Sequence, residues 1–191
     1  NISLLSEYYQ FNFIHISTDQ IYSGKGPHKE ENFNPINVYS RSKLEGEKFV
    51  ISAGGLVLRT NFVGRSFSEE RNSFTDWLVL KGKQKKEFKL FDDVIFSPLH
   101  LSNLNKFIEL SLNNFISGCF NLGSSSYISK AEFGVRFLRN LNYSFDFAKI
   151  CSIKESLLVA ERPLDMSLNI EKVKQNFPWV APNIDEIIFL C

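Results

Sequence analysis

The feature that most constrains this chain is a short apolar run from Phe11 to Ser17 that neither proline nor glycine interrupts. Such a run predicts a buried strand of a parallel sheet. A helical pattern precedes it from Ile2 to Gln10, a second helix is predicted from about Asn37 to Ser52, and Leu56–Leu58 is the next apolar run. Because strands alternate with helices in this order, we predict an α/β fold with helices on the faces of a parallel sheet.

The second half of the chain has a different pattern, with shorter apolar runs. Ser129 begins the Ser-x-x-Glu pattern of a capping box, and Asn169 and Asn183 are the expected N-caps of two short terminal helices. The other predicted helices cover residues 74–83 and 101–112, and the predicted strands cover residues 88–91, 120–122 and 147–153. We therefore expect a mixed α+β portion beside the sheet.

Composition narrows the class of protein. The 191 residues suffice for one domain with a hydrophobic core, or for one domain with a small appendage. The net charge of +1 gives no overall field that would attract nucleic acid or an anionic membrane, and no apolar run reaches the roughly 18 residues of a membrane span. Cys119, Cys151 and Cys191 predict neither a disulfide framework nor a metal site, so we expect a reducing cytoplasm.

Polar side chains follow the first predicted strand at the end where open α/β sheets bind ligands. The strand ends in Ser17, Thr18 and Asp19, and the following helix carries Tyr39 and Lys43 four residues apart, on one face. An ammonium beside a phenol favours the phenolate, and such a phenol can exchange a proton with a carbonyl oxygen. Thr18 can hydrogen-bond the same oxygen and Asp19 can orient a hydroxyl, so the stretch predicts carbonyl reduction or related nicotinamide chemistry.

Each part of this pattern has a simpler interpretation. A Tyr-x-x-x-Lys spacing arises easily by chance among six tyrosines and many lysines. Thr18 and Asp19 are also typical of turns at strand ends, where their side chains bond the local backbone. The combination of strand end, loop and helix is what favours a catalytic site.

Four stretches in the right order resemble the dTDP-4-dehydrorhamnose reductase (RmlD-like) family of the extended short-chain dehydrogenase/reductase superfamily. They are HISTDQIYSG at 15–24, NPINVYSRSKLEGE at 34–47, LRT at 58–60 and RPLDMSL at 162–168. The resemblance implies an incomplete Rossmann-like parallel sheet with a small α+β substrate-binding portion. It implies that residues 1–62 are the carboxyl-terminal part of a nicotinamide-binding domain and that residues 63–191 mainly bind a sugar nucleotide, with a strand returned to the sheet.

The resemblance also implies a role for each matching residue. Tyr39 is the general acid, Lys43 favours its phenolate and holds the nicotinamide ribose, Thr18 binds the substrate carbonyl, and Asp19 supports it. The residues implied to bind NADPH or NADH are Ser17, Tyr39, Lys43, Thr60, Asn61 and Phe62. Those expected to bind the nucleotide sugar are Thr18, Phe62, Arg65, Arg71 and Arg162. A homodimer is an assembly that the resemblance allows.

The function implied is reduction of a dTDP-4-keto-6-deoxy sugar for deoxysugar and polysaccharide synthesis. Two alternatives stay open: a sugar-nucleotide epimerase or dehydratase on the same scaffold, and a non-catalytic binding or regulatory subunit. The Ser-Thr-Asp triplet and the RPLDMSL stretch count against the epimerase or dehydratase, and intact Thr18, Tyr39 and Lys43 count against a subunit without catalysis.

The chain departs from the family pattern in three places. Phe62 stands where the family usually has tryptophan, and residues 96–99 are FSPL where a Gly-x-Pro-Thr pattern is common. No Gly-x-x-Gly-x-x-Gly occurs in the sequence, although that turn holds the dinucleotide pyrophosphate in the family. We therefore expect a chain that is truncated at its amino end and lacks the first βαβ units.

This departure yields a test. We expect the purified 191-residue chain to bind NADPH more weakly than micromolar, because no residues match the pyrophosphate-binding turn. The measurement is a calorimetric titration with NADPH. A micromolar dissociation constant would contradict the expectation.

Overall fold

The computed structural model describes residues 2–66, 68, 70, 72–156 and 160–191, in which helices alternate with parallel strands. The helices are α1 (Ile2–Tyr9), α2 (Val38–Ser52), α3 (Phe74–Gln84), α4 (Leu101–Asn113), α5 (Lys130–Asn140), α6 (Glu171–Asn176) and α7 (Ile184–Leu190). The strands are β1 (Ile14–Thr18), β2 (Leu56–Val63), β3 (Phe88–Phe91), β4 (Ile95–Phe96), β5 (Pro98–His100), β6 (Gly118–Asn121), β7 (Ile128–Ser129), β8 (Ala148–Cys151) and β9 (Asp165–Met166). The predicted α/β class is confirmed.

The main sheet is parallel and is built around β2. Strand β1 pairs with it from Ile14↔Leu56 to Thr18↔Thr60. On β2, residues 56–59 also pair with β6, and residues 61–63 pair with β5. Because β5 and β6 come from the second half of the chain, that half contributes strands to the sheet that carries the Ser-Thr-Asp triplet.

The second half also forms two small sheets and a core of its own. Strands β3 and β8 are parallel, while β4 pairs with β7 antiparallel and with β9 parallel. Helices α3, α5 and α7 cover a cluster of buried side chains that includes Leu78, Phe88, Phe96, Phe133, Phe137 and Ile187. The main sheet has a separate cluster with α4 and α6 that includes Leu56, Leu58, Leu99, Phe107, Phe120 and Phe177.

Helix α2 begins with a capping box and packs on the sheet through a face that is partly polar. The Asn37 side chain accepts from the Ser40 backbone N–H at 2.8 Å, and the Ser40 hydroxyl accepts from the Asn37 N–H at 3.2 Å. The buried positions are Ser40, Leu44, Glu47 and Val50. The hydrophobic pattern of this helix predicts Val38, Leu44 and Phe49 on its inward face. That prediction is wrong for Val38 and Phe49, since 75% and 58% of their surfaces are exposed. The buried face includes a carboxylate instead.

That carboxylate, Glu47, forms a buried ion pair with Arg59 of β2. The Arg59 guanidinium donates from Nη2 to Glu47 Oε2 at 2.7 Å and from Nε to both carboxylate oxygens at 3.1 and 3.2 Å. The Ser17 hydroxyl at the end of β1 donates to the same carboxylate. One ion pair therefore joins α2, β1 and β2.

The other side of Arg59 extends the network to the loop that follows β1. Its Nη1 donates to the Glu30 carbonyl at 2.6 Å and to the Tyr22 hydroxyl at 2.8 Å. The Tyr22 hydroxyl donates in turn to Asn121 Oδ1 at 2.6 Å, on β6. The His28 ring stacks on Tyr22 with 4.9 Å between centroids. A buried polar network thus fixes the loop against β2 and β6.

The same loop is held by the segment around β9, far along the chain. The Gly26 N–H donates to Asp165 Oδ2 at 2.8 Å, and a Cβ added at Gly26 would lie 2.2 Å from the Ser167 hydroxyl oxygen. The His28 N–H donates to the Ser167 carbonyl, and the Asn169 N–H donates to the His28 carbonyl, both at 2.8 Å. A side chain at position 26 would require the Ser167 and Asp165 side chains to move.

Most predicted elements coincide with observed ones within a few residues, but β2 continues to Val63, five residues beyond the predicted apolar run Leu56–Leu58. Asn183 caps α7 as predicted and forms a capping box with Glu186. Ser129 caps α5 by accepting from the Glu132 N–H, but the predicted capping box is not completed, because the Glu132 carboxylate bonds Arg136 instead. Helix α6 instead has Ile170 as its N-cap, one residue after the predicted Asn169. No helix among the described residues is long and apolar enough to cross a membrane.

Removing the charge of Glu47 tests the buried pair. We expect Glu47→Gln to lower the free energy of unfolding by about 3 to 5 kcal/mol, because it leaves the Arg59 guanidinium buried without its counterion. Urea denaturation measures the loss. The matched control is Glu45→Gln on the same helix, whose pair with Lys48 is exposed and should contribute little. An equal effect of the two variants would contradict this role.

Candidate active site

The carboxyl ends of β1 and β2 bring the predicted polar residues together. Thr18 and Thr60 are paired in register, and Asp19 and Asn61 directly follow them. Asn61 donates from Nδ2 to Asp19 Oδ2 at 2.7 Å. Thr60 is buried, and its hydroxyl oxygen has no hydrogen-bond partner among the described residues. Thr18 and Asp19, predicted to act at the carbonyl, and Thr60 and Asn61, predicted to bind the cofactor, therefore lie at the same end of the sheet.

The Thr18 hydroxyl also makes the local hydrogen bonds that are typical of a turn at a strand end, which was the simpler interpretation. It caps the short 3-10 turn Asp19–Ile21 by accepting from the Gln20 N–H at 3.2 Å, and it donates to Asp19 Oδ1 at 3.4 Å. The long bond to Asp19 leaves the hydroxyl proton weakly held. A carbonyl oxygen placed there would compete for it.

Helix α2 presents Tyr39 and Lys43 beside this end of β1. The Lys43 ammonium donates to the Ile16 carbonyl of β1 at 2.9 Å, which fixes the helix turn that carries it. Tyr39 lies one turn earlier and is half-exposed, so its phenol is accessible to a ligand. The arrangement can hold a proton donor and a cation near the Thr18 end of the strand.

Asp19 is the most deeply buried acid of the site, with 1% of its surface exposed. Burial raises the pKa of its carboxyl to about 6, against the opposing effects of the Asn61 hydrogen bond and the Lys130 charge. A carboxyl with this pKa changes its protonation state near neutral pH. It can accept or return a proton there, which is the behaviour expected of a proton relay.

A cavity of about 320 Å³ adjoins these residues. Gln20 and Arg162 line both this cavity and the more open groove that contains Tyr39. Its walls combine aromatic rings with basic side chains, and include Phe74, Trp77, Phe91, Lys89, Lys130 and Arg162. Aromatic rings and cations together suit a ligand with a planar base and negatively charged groups.

The remaining predicted residues lie in different places. Arg162 lines the cavity, whereas Arg65 and the half-exposed Phe62 line a neighbouring groove that meets the cavity at Phe74. Arg65 is 3.9 Å from Asp76 Oδ1, with most of its side chain exposed. Ser17 is buried with its hydroxyl bonded to the Glu47 carboxylate. Arg71 lies outside the described residues.

Sequence reasoning missed the distant residues of the cavity. Trp77, Lys89 and Lys130 come from three elements of the second half, and nothing in their local sequence marks them as lining one space. Lys130 carried one usable signal, because a basic residue directly after an N-cap opposes the helix dipole. The Ser-x-x-Glu pattern around it predicts only the start of a helix.

Comparison with known proteins agrees with the resemblance seen in the sequence. The profile of the RmlD substrate binding domain matches residues 1–188. The dTDP-4-dehydrorhamnose reductase of Escherichia coli is 28% identical over 185 aligned residues, covering 89% of this chain and 61% of that protein. A probable low-salt glycan biosynthesis reductase of Haloferax volcanii is 25% identical and covers 91% and 60%. The chain spans about three fifths of the length of these relatives.

A solved structure shows the same fold. The crystal structure of dTDP-4-dehydrorhamnose reductase from Bacillus anthracis in complex with NADP superposes with a TM-score of 0.89 at 24% identity. The match covers 98% of this chain and 67% of that one. The predicted Rossmann-like parallel sheet is therefore confirmed at the level of the fold.

The burial of Asp19 predicts a pH-dependent effect on stability. Its folded pKa of about 6 lies above the ordinary value of 3.8, so the stability it contributes is present below pH 3.8 and is lost as the pH rises through 6. At about 1.4 kcal/mol per pKa unit, Asp19→Asn should gain about 3 kcal/mol over the native chain at pH 7.5. Urea denaturation at pH 7.5 and pH 4 checks this. A gain of equal size at both values would refute it.

Proposed function

Because this chain belongs to the RmlD substrate binding domain family, we propose that it is the catalytic and substrate-binding portion of a nucleotide-sugar 4-ketoreductase. The substrate is a dTDP-4-keto-6-deoxy sugar, whose C4 carbonyl is reduced to an alcohol with hydride from NADPH or NADH. The observation that carries the proposal is the placement of Tyr39 and Lys43 beside the Thr18 end of β1, next to the basic cavity.

The side chains have complementary roles in this reduction. The Thr18 hydroxyl donates a hydrogen bond to the carbonyl oxygen and positions it. Tyr39 gives its phenolic proton to that oxygen as the carbonyl carbon gains hydride, which completes the alcohol and leaves a phenolate. The Lys43 ammonium favours that phenolate. Asp19, with its pKa near 6, lies next to Thr18 and can pass a proton to or from the site.

The residues of this chain fit the nicotinamide end of the cofactor. Lys43 lies against β1, and the buried Thr60 hydroxyl has no partner among the described residues, so a ribose or carboxamide group would satisfy it. A reduced nicotinamide bound there supplies the hydride. Lys43 and Tyr39 would hold the ribose. Ser17 and Asn61 would line the end of the sheet beside it, and Phe62 would pack on one face of the nicotinamide ring.

The cavity suits the nucleotide part of the substrate. Lys89, Lys130 and Arg162 can neutralise a diphosphate, and the rings of Phe74 and Trp77 can pack on a base. We assign the reacting groups to residues 1–62 and most of the substrate pocket to residues 63–191, which also return β5 and β6 to the sheet. Arg65, on the neighbouring groove, is a further candidate for binding the substrate phosphates. Arg71 is a candidate from the sequence alone.

The compartment and assembly are also proposals. Cys119, Cys151 and Cys191 are all free, which supports a reducing cytoplasm. A homodimer is the assembly to be tested, and sedimentation equilibrium of the purified protein measures it directly.

Replacing the general acid tests the proposed function. In the protein as its gene encodes it, we expect Tyr39→Phe to lower kcat for NADPH-dependent reduction by about 100- to 10,000-fold, because the proton donor is lost. Loss of NADPH absorbance with a dTDP-4-keto-6-deoxy sugar measures it. The matched control is Tyr8→Phe, an exposed tyrosine on α1 that should leave the rate unchanged.

Two outcomes would overturn the proposal. Conversion of the sugar without net NADPH consumption would identify an epimerase or dehydratase. A native protein without turnover, whose binding properties Tyr39→Phe leaves intact, would identify a binding or regulatory subunit.

A further inference from the structure

Asn37 uses both ends of its side-chain amide. Its Oδ1 accepts from the Ser40 backbone N–H at 2.8 Å, which caps the start of α2, and its Nδ2 donates to the Glu161 carbonyl oxygen at 3.0 Å. The two contacts fix the orientation of the amide, because the oxygen must face the N–H and the nitrogen must face the carbonyl. Asn37 therefore joins the first turn of α2 to a segment 124 residues further along the chain.

The other side chains that commonly cap helices could make only the first of these contacts. Aspartate, serine and threonine also accept a hydrogen bond at an N-cap. An aspartate carboxylate cannot donate to a carbonyl oxygen, and a serine or threonine hydroxyl is a single atom close to the backbone, which cannot span both partners. The contact with Glu161 therefore requires asparagine at position 37, although the cap does not.

The residues next to the two ends of this link belong to the proposed site. Tyr39 lies in the helix turn that Asn37 caps, and Arg162 directly follows Glu161. All four residues line one groove, and Arg162 also lines the adjoining cavity. Arg162 forms no ion pair with a carboxylate of the described residues, so its guanidinium is available to a substrate phosphate.

The stretch of chain around Arg162 has few other attachments. From Leu164 onward the segment is held beside β4, since the Ile95 N–H donates to the Leu164 carbonyl at 2.7 Å. Within the part of the chain that the structure describes, the bond from Asn37 is the only hydrogen bond that residues 160–163 form. The position of Arg162 and the orientation of the Asn37 amide are therefore linked.

We propose that Asn37 is a positioning residue, which couples the binding of a substrate phosphate at Arg162 to the placement of the Tyr39 phenol. The inference rests on the proposed function. A phosphate that holds Arg162 also holds the Glu161 carbonyl, which orients the Asn37 amide and thereby the helix turn that carries Tyr39. Small errors in the placement of a reacting group lower the rate strongly, so the link serves the reduction step rather than affinity.

The test uses Asn37→Asp and Asn37→Ser in the protein as its gene encodes it. Both retain an acceptor for the Ser40 N–H and lose the donor to Glu161, so their melting temperatures should lie within about 3 °C of the native value. The serine variant adds no charge near Tyr39, so agreement between the two variants excludes an effect of the aspartate charge. The matched control is Asn183→Asp, the same change at the N-cap of α7, which should leave kcat unchanged.

We expect both variants at position 37 to lower kcat for NADPH-dependent reduction of a dTDP-4-keto-6-deoxy sugar by about 10- to 100-fold. KM should be unchanged or lower, because binding energy is no longer used to fix Tyr39. An unchanged kcat would overturn the inference. So would a large fall in the melting temperature of both variants together with the loss of rate, since that would show a role in folding alone.

A second comparison tests the coupling itself. In the native background, Arg162→Ala should raise KM, because a phosphate contact is lost, and should also lower kcat, because Tyr39 is no longer held. In the Asn37→Asp background, Arg162→Ala should still raise KM but leave kcat as it is. An equal loss of kcat in both backgrounds would overturn the inference. A native protein that reduces no such sugar would contradict the proposed function, and this inference with it.

Discussion

The buried ion pair between Glu47 and Arg59 is the interaction on which the arrangement of the site depends. Its two residues lie on α2 and β2, and Ser17 at the end of β1 donates to the same carboxylate. The proposed proton donor, Tyr39, is on the helix and the residue proposed to bind the carbonyl, Thr18, ends the strand, so their separation is set where these elements meet. A pair buried this deeply also resists replacement of one member alone, because the remaining charge would have no counterion. The geometry of the chemistry is thereby linked to the integrity of the core.

The features that could be predicted from the sequence are those that depend on residues close together in the chain. The alternation of apolar runs and helices was sufficient for the α/β class, and Asn183 and Ser129 marked their helix starts through side-chain bonds to nearby backbone. The inward face of α2 was missed because hydrophobicity assigns a glutamate to solvent and a phenylalanine to the core. Glu47 is buried only because Arg59, twelve residues away, supplies its counterion. No pattern within the helix carries that fact.

The candidate site likewise has a part that the local sequence predicts and a part that it does not. Thr18, Asp19, Tyr39 and Lys43 lie within one strand, loop and helix, so their proximity follows from the local order of elements and could be anticipated. The cavity beyond them is assembled from α3, β3 and the start of α5, whose positions are fixed only by packing in the second core. Lys130 is an example: nothing in its local sequence marks it as part of a cavity, and its place in the cavity wall depends on packing against the Phe74 and Phe96 rings.

The contact between Gly26 and the segment around Asp165 has a consequence for how the protein is made. The loop that follows β1 is held by backbone hydrogen bonds to Ser167 and Asn169, which are about 140 residues further along the chain. A ribosome releases those residues long after β1 has emerged, and contacts so distant in sequence close late in folding. During synthesis this loop therefore lacks these contacts until residues 165–169 have emerged. A nascent chain interrupted before residue 165 would therefore carry every predicted catalytic residue and still lack the contacts that hold this loop.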